Sequence, residues 1–169
     1  MSTTRLTTTS YAVLGLLEIC QPATPYRLKQ AAQVSIFHFW TITHTQLYAE
    51  CARLAEAGLL AEDREDGGRR RRLYSLTPAG LAALDRWRDS PEADLYELRD
   101  PGLLKLFCGA DPVALAQTQL ARHEQRLAAY EQIAKQDMTD AMRLALEAGT
   151  AHEREYVRFW SELRDGKRH

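Results

Sequence analysis

Arg69-Arg70-Arg71-Arg72 concentrates positive charge more than any other stretch of the chain. Guanidinium groups carry rigid forks of donors that match phosphate oxygens, so four in a row suit a polyanion. Further upstream, Thr43-His44-Thr45-Gln46 gathers hydrogen-bonding side chains where the pattern predicts a helix to begin. That is the chemistry of reading base edges, and Gln46 has the donor and acceptor that pair bidentately with adenine. Tyr48 offers a hydroxyl to a phosphate, or a ring to pack. Arg27 and Lys29 add charge near the start of an earlier helix, and Arg5 adds one on a Thr-rich N-terminal arm. Plainer roles stand beside these. Thr43 and His44 can serve only to cap their helix, and the arginines can be a solvated face paired with Glu62, Asp63, Glu65 and Asp66.

Other chemistries lack their residues. There is no Gly-rich phosphate loop, no nucleophile elbow and no paired carboxylates isolated in a loop, so we expect no enzyme and no cofactor. His123-Glu124 and His152-Glu153 lack the second histidine of HExxH and have no cysteine nearby, so no metal is expected. The two histidines fall in helical seams, where they would sense pH, hold a polar ligand or, more commonly, be hydrogen-bonded in an interface. Trp40, Trp87, Tyr96, Phe107 and Trp160, with Tyr156, are candidates to line an effector pocket, although core packing is the commoner use of such residues. Cys20, Cys51 and Cys108 are odd in number and far apart, which argues against a disulfide framework and for a reducing compartment.

These residues need elements to place them. Ser10 reads as the cap of a helix over 11–19, and Thr24-Pro25 as the start of a short second helix. Residues 33–42 read as a connector. Thr43 opens a third helix whose stripe is Leu47, Cys51, Leu54 and Ala55, and Gly58 stops it. Residues 59–65 and 70–76 alternate about Asp66-Gly67-Gly68 as a hairpin, with the arginines at its turn. Thr77-Pro78 then starts a fourth helix to about Arg88, with Leu81, Leu84 and Trp87 expected inward. Three helices and a ribbon with a basic tip make a winged helix-turn-helix over residues 1–88. Its third helix would enter the major groove and its ribbon would meet phosphates.

Residues 89–111 read as a connector holding a short apolar helix, 103–107. From Asp111-Pro112 a long helix runs with a seam of Val113, Ala116, Leu120, His123, Leu127, Tyr130 and Ala134. After a break at 136–137 a second carries Met142, Ala145, Gly149, His152, Tyr156, Phe159 and Leu163. Two antiparallel helices cannot bury both stripes alone, so 112–169 is expected to be a helical dimerisation domain. The fold class is mainly α.

Charge supports the division of labour. Residues 1–88 hold 11 Lys/Arg against 8 Asp/Glu, +3, and 89–169 hold 11 against 15, −4, summing to the net −1. Any anion-binding surface therefore belongs to the first part. The apolar run near the N-terminus is too short and interrupted for a signal peptide or a membrane span, so a cytoplasmic protein without membrane contact is expected.

The ordered residues also resemble the PadR family of bacterial transcription regulators. Tyr11-Ala-Val-Leu-Gly-Leu-Leu17, Pro25-Tyr26-Arg27-Leu28-Lys29 and Phe39-Trp40 carry the resemblance. It continues through Gln46-Leu47-Tyr48-Ala49-Glu50, then 53–59, and ends on Arg72-Leu73-Tyr74-Ser75-Leu76-Thr77-Pro78-Ala79-Gly80 with Leu84 and Trp87. The second half resembles, by architecture, the C-terminal helical domain of the virulence-activator type. The resemblance implies a homodimeric regulator of double-stranded operator DNA, often a repressor and sometimes relieved by a small aromatic or hydrophobic effector. Thr45 stands where many members carry a small residue or glycine, which puts the family's base preference in doubt here. Arg53 is the sole basic residue of the third helix, which leaves backbone affinity to the wing and second helix. A winged-helix protein-docking module and a transcriptional activator are the alternatives, the first disfavoured by the four arginines.

Overall fold

The computed structural model describes residues 5–36, 39–64 and 71–167. The chain divides into two compact units, residues 1–93 and 94–169. The first contains α1 (Thr8–Cys20), α2 (Pro25–Val34), α3 (His44–Glu56), β1 (Leu60–Arg64), β2 (Arg72–Leu76) and α4 (Pro78–Asp89). Its core joins Val13, Leu14 and Leu17 of α1 to Leu28 of α2 and to Leu47, Cys51 and Leu54 of α3, with Leu60, Tyr74 and Leu84 closing it from the ribbon and α4. Thr24, Thr43 and Thr77 each cap the helix that follows them, their hydroxyls accepting a backbone N–H of its first turn. Burial pushes the Cys51 thiol up to about 12, so it behaves as a small core residue.

The two strands pair antiparallel in a register from Leu60↔Leu76 to Arg64↔Arg72. Ala23 bridges Tyr74 with two backbone bonds of 3.0 and 2.9 Å and fastens the ribbon to the segment before α2. The winged helix-turn-helix expected from the sequence is therefore present. Two details differ. Thr7, not Ser10, caps α1; Ser10 sits three residues on and completes the capping box, both hydroxyls being suited to either place. Leu81 and Trp87 are not inward but 40% and 46% exposed, because Leu84 and Ala83 take the core-facing line of α4. Trp87 instead stacks on Tyr11 of α1, ring centroids 4.7 Å apart.

The second unit holds α5 (Pro101–Phe107), α6 (Pro112–Ile133) and α7 (Asp140–Arg164), capped by Asp100, Asp111 and Thr139. Contacts of His123 with Glu153 and of Tyr130 with Gly149 show α6 and α7 running antiparallel. Ala116, Leu120 and Trp160 form the core, with Leu103 and Leu106 of α5 against it. The segment read as a connector thus supplies part of this core. On α7 the fully buried side chains are Glu153 and Trp160, one residue past the expected seam positions His152 and Phe159. Hydrophobicity alone could not place that line, because one of its members is a carboxylate. Among the described residues no helix is long and apolar enough to cross a membrane.

Candidate nucleic-acid interface

Leu47, Cys51 and Leu54 anchor one face of α3 in the core, which leaves the start of the helix facing solvent. Thr43, His44, Thr45 and Gln46 are all exposed there, and Tyr48 is 45% exposed. Thr43 and Gln46 form a capping box. The Thr43 backbone N–H donates to Gln46 Oε1 at 2.9 Å, and the Gln46 N–H donates to Thr43 Oγ1 at 3.2 Å. The His44 and Tyr48 rings, one turn apart, lie 4.4 Å centre to centre.

A cleft of about 600 Å³ opens beside the middle of α3, between that helix, the start of α2 and the ribbon. Thr24, Pro25 and Tyr26 line it from α2, Tyr48 and Ala52 from α3, and Arg71, Arg72 and Tyr74 from the ribbon. Arg72 donates to Glu62 Oε2 at 3.3 Å, and the Tyr74 hydroxyl bonds the same oxygen at 3.2 Å. Arg72 therefore arrives at the cleft already oriented by Glu62, one of the four acids that the sequence set opposite the arginines. Arg71 is exposed; Arg69 and Arg70 lie outside the described residues. Arg27 is exposed on α2 and Lys29 is half-buried.

Arg53 turns away from this surface. Its guanidinium donates to Glu50 Oε2 at 3.0 Å, to Ser10 Oγ at 2.9 Å and to the Arg5 carbonyl at 3.2 Å, tying α3 to α1 and the N-terminal arm. Burial alone would push the Glu50 carboxyl up, but hydrogen bonds from Arg53 and Ser10 and the Arg53 charge outweigh it and hold the carboxyl below its ordinary value. Sequence reasoning passed over this clamp, whose one local signal was the Glu50–Arg53 spacing.

The aromatic candidates occupy different settings. In the first unit Trp40 is 36% exposed and Trp87 stacks on Tyr11. In the second, Tyr96 and Phe107 are exposed, whereas Trp160 is fully buried and its Nε1–H has no hydrogen-bond partner among the described residues. The two histidines of the seams meet one ring: His123 and His152 lie 4.8 and 4.5 Å from Tyr156. His123 Nδ1 is 2.6 Å from Glu153 Oε2, and Arg126 donates to Glu153 Oε1 at 3.2 Å, so the buried carboxylate has a partner on each oxygen. No group of three or more metal-ligating side chains forms among the described residues.

Burial pushes the Tyr156 phenol up to about 12, and the charge and hydrogen bond of Asp100 push the same way. An unfolded tyrosine ionises near 10.0, so between pH 10.0 and about 12 the folded chain keeps a proton that the unfolded chain has lost. The stability carried by this group is whole below that window and lost as pH rises through it. We expect Tm to fall across the window and Tyr156→Phe to soften the fall, which a series of alkaline thermal melts would check. Tyr74 and Tyr130, also raised by burial, should leave part of the fall in place.

Residues 13–86 match the family model described as the transcriptional regulator PadR-like family. The resemblance read from the sequence is borne out there: this part of the chain is a PadR-like domain. Bacillus subtilis PadR solved with operator DNA superposes with a TM-score of 0.83 at 20% identity, covering 94% of this chain and 98% of that one. The same protein solved with p-coumaric acid gives 0.74 at 20% identity, covering 95% and 97%. A PadR-like regulator from Bacillus cereus gives 0.80 at 18% identity, covering 98% and 99%. The Vibrio cholerae virulence activator AphA gives 0.70 at 24% identity, covering 94% and 97%. At these identities the likenesses establish the fold of both units. No curated protein matches the chain by sequence.

Proposed function

We propose that the chain is a sequence-specific DNA-binding transcriptional regulator that works as a homodimer and represses its target. The observation that carries this is the exposed, polar start of α3, continued one turn on by Tyr48, which lines a cleft together with Arg71 and Arg72. Base-reading donors and acceptors and phosphate-binding guanidiniums thus share one surface, as a winged helix on duplex DNA requires. Thr43, His44, Thr45, Gln46 and Tyr48 take the groove. Arg71 and Arg72, with Arg69 and Arg70 of the same run, take the backbone, and Arg27 and Lys29 add to it. The fold shared with Bacillus subtilis PadR, solved on operator DNA, supports the reading. That protein was also solved with p-coumaric acid, and by analogy we assign this chain a small aromatic or hydrophobic effector that relieves repression.

Residues 1–88 are the DNA-binding part in this account and 112–169 the dimerisation part. The second unit leaves Leu104, Phe107 and Leu144 61%, 88% and 67% exposed, apolar surface that a second copy would cover. Two copies would present two α3 helices to half-sites about one helical turn apart. Binding to genomic fragments flanking the chain's own gene, in excess random DNA, tests the proposal. A retained complex of two chains per fragment is expected; a monomer, or binding no better than to random DNA, would count against it.

A further inference from the structure

We propose that Gln46 reads guanine and not adenine, and that the capping box of α3 sets this choice. The inference rests on the DNA-binding reading above and names the base that surface takes. Gln46 Oε1 accepts two hydrogen bonds, from the Thr43 N–H at 2.9 Å and from the Thr43 hydroxyl at 3.0 Å. A backbone N–H can only donate, so the carboxamide oxygen, not its nitrogen, must be the atom that faces Thr43. An amide oxygen has two lone pairs, and both are taken. The Thr43 hydroxyl, having given its proton to Gln46, accepts in turn from the Gln46 N–H at 3.2 Å. The exchange is closed, and the bonds cross-brace the first turn of the helix.

What Gln46 keeps for a ligand is Nε2 with its two protons. The side chain is exposed, so those donors are free to point outward. In the major groove adenine shows an acceptor, N7, beside a donor, N6, and a glutamine meets that pair only with both ends of its amide. Here the accepting end is spent. Guanine shows two adjacent acceptors, N7 and O6, which engage both amide protons; thymine shows one acceptor, O4, beside a methyl, and cytosine shows an amino donor, which a group that only donates cannot meet. Reading adenine would require Oε1 to leave Thr43, giving up both bonds at the helix end that must stay fixed for any base to be read.

Selection from a pool of random duplexes with wild type, Gln46→Glu and Gln46→Ala tests this. Glutamate can hold the same cap, since its carboxylate accepts from Thr43, but it presents acceptors only. In the wild-type motif one position of each half-site should be guanine. Gln46→Glu should move that position to cytosine, with the guanine-to-cytosine ratio changing about tenfold or more. Gln46→Ala should flatten it. The added negative charge will weaken binding to every sequence alike, and the ratio cancels that loss. Thermal melts establish that the glutamate variant is folded. A motif in which residue 46 governs an adenine, or in which no position responds to it, overturns the inference while the regulator reading stands. Failure of wild type to enrich any motif overturns both.

Discussion

Replacing Arg71 and Arg72 together by alanine should lower DNA affinity on the order of fiftyfold near ~0.1 M salt and reduce the salt slope by about 1.8. Each guanidinium that neutralises a phosphate releases condensed counterions, and each contact contributes about 0.9 to the slope. Both side chains reach the cleft beside α3, where a strand of the duplex would pass. The ribbon should survive the change. Arg72 and Glu62 form a partly exposed pair, and such pairs contribute little to stability. Buried Tyr74, its bridge to Ala23 and the strand register hold the hairpin. Affinity measured at several salt concentrations checks the prediction. If the arginines are only a solvated face paired with their own acids, the slope will not move.

Gly80→Ala should destabilise the first unit by about 3 kcal/mol, lowering its Tm by roughly 15 °C. Gly80 lies in the first turn of α4, where its N–H donates to the cap Thr77 Oγ1 at 3.1 Å. A Cβ at this position would overlap the Leu59 carbonyl oxygen. That oxygen is backbone, and it already accepts the Thr77 N–H at 3.1 Å, so it cannot swing aside as a flexible side chain would. The overlap pries α4 from the stem of the ribbon and should also weaken DNA binding through the displaced wing. Gly15 gives the contrast. It sits within α1 with open space where a Cβ would go, and Gly15→Ala should stabilise by about 0.5–1 kcal/mol. Thermal melts of the two variants beside wild type settle the comparison.

Local chemistry made much of the fold readable. Thr24-Pro25, Thr77-Pro78 and Asp111-Pro112 announce helix starts because an accepting side chain and a proline without an N–H suit adjacent positions there. The ribbon showed in its alternation. What escaped depends on partners distant in sequence. Nothing near Glu153 says that a carboxylate points inward; His123 and Arg126 on α6 make its burial tolerable, and only the antiparallel pairing brings them there. Arg53 read as a basic residue of the recognition helix, yet Ser10, more than forty residues earlier, helps to hold it against α1. Gln46 shows the subtler limit. Its type suits both capping and base reading, and composition cannot tell that the first use consumes the acceptor required for one version of the second.

The measurement that bears most directly on the whole account is the ratio of affinities for a selected duplex and a random one of equal length, at near-physiological salt. A dimeric reader that uses the α3 surface and the wing together should bind the selected site at least ~10³-fold more tightly. A ratio near one, with wild type and the Arg71/Arg72 alanine pair alike in salt slope, would contradict it and make the winged helix a surface for docking protein.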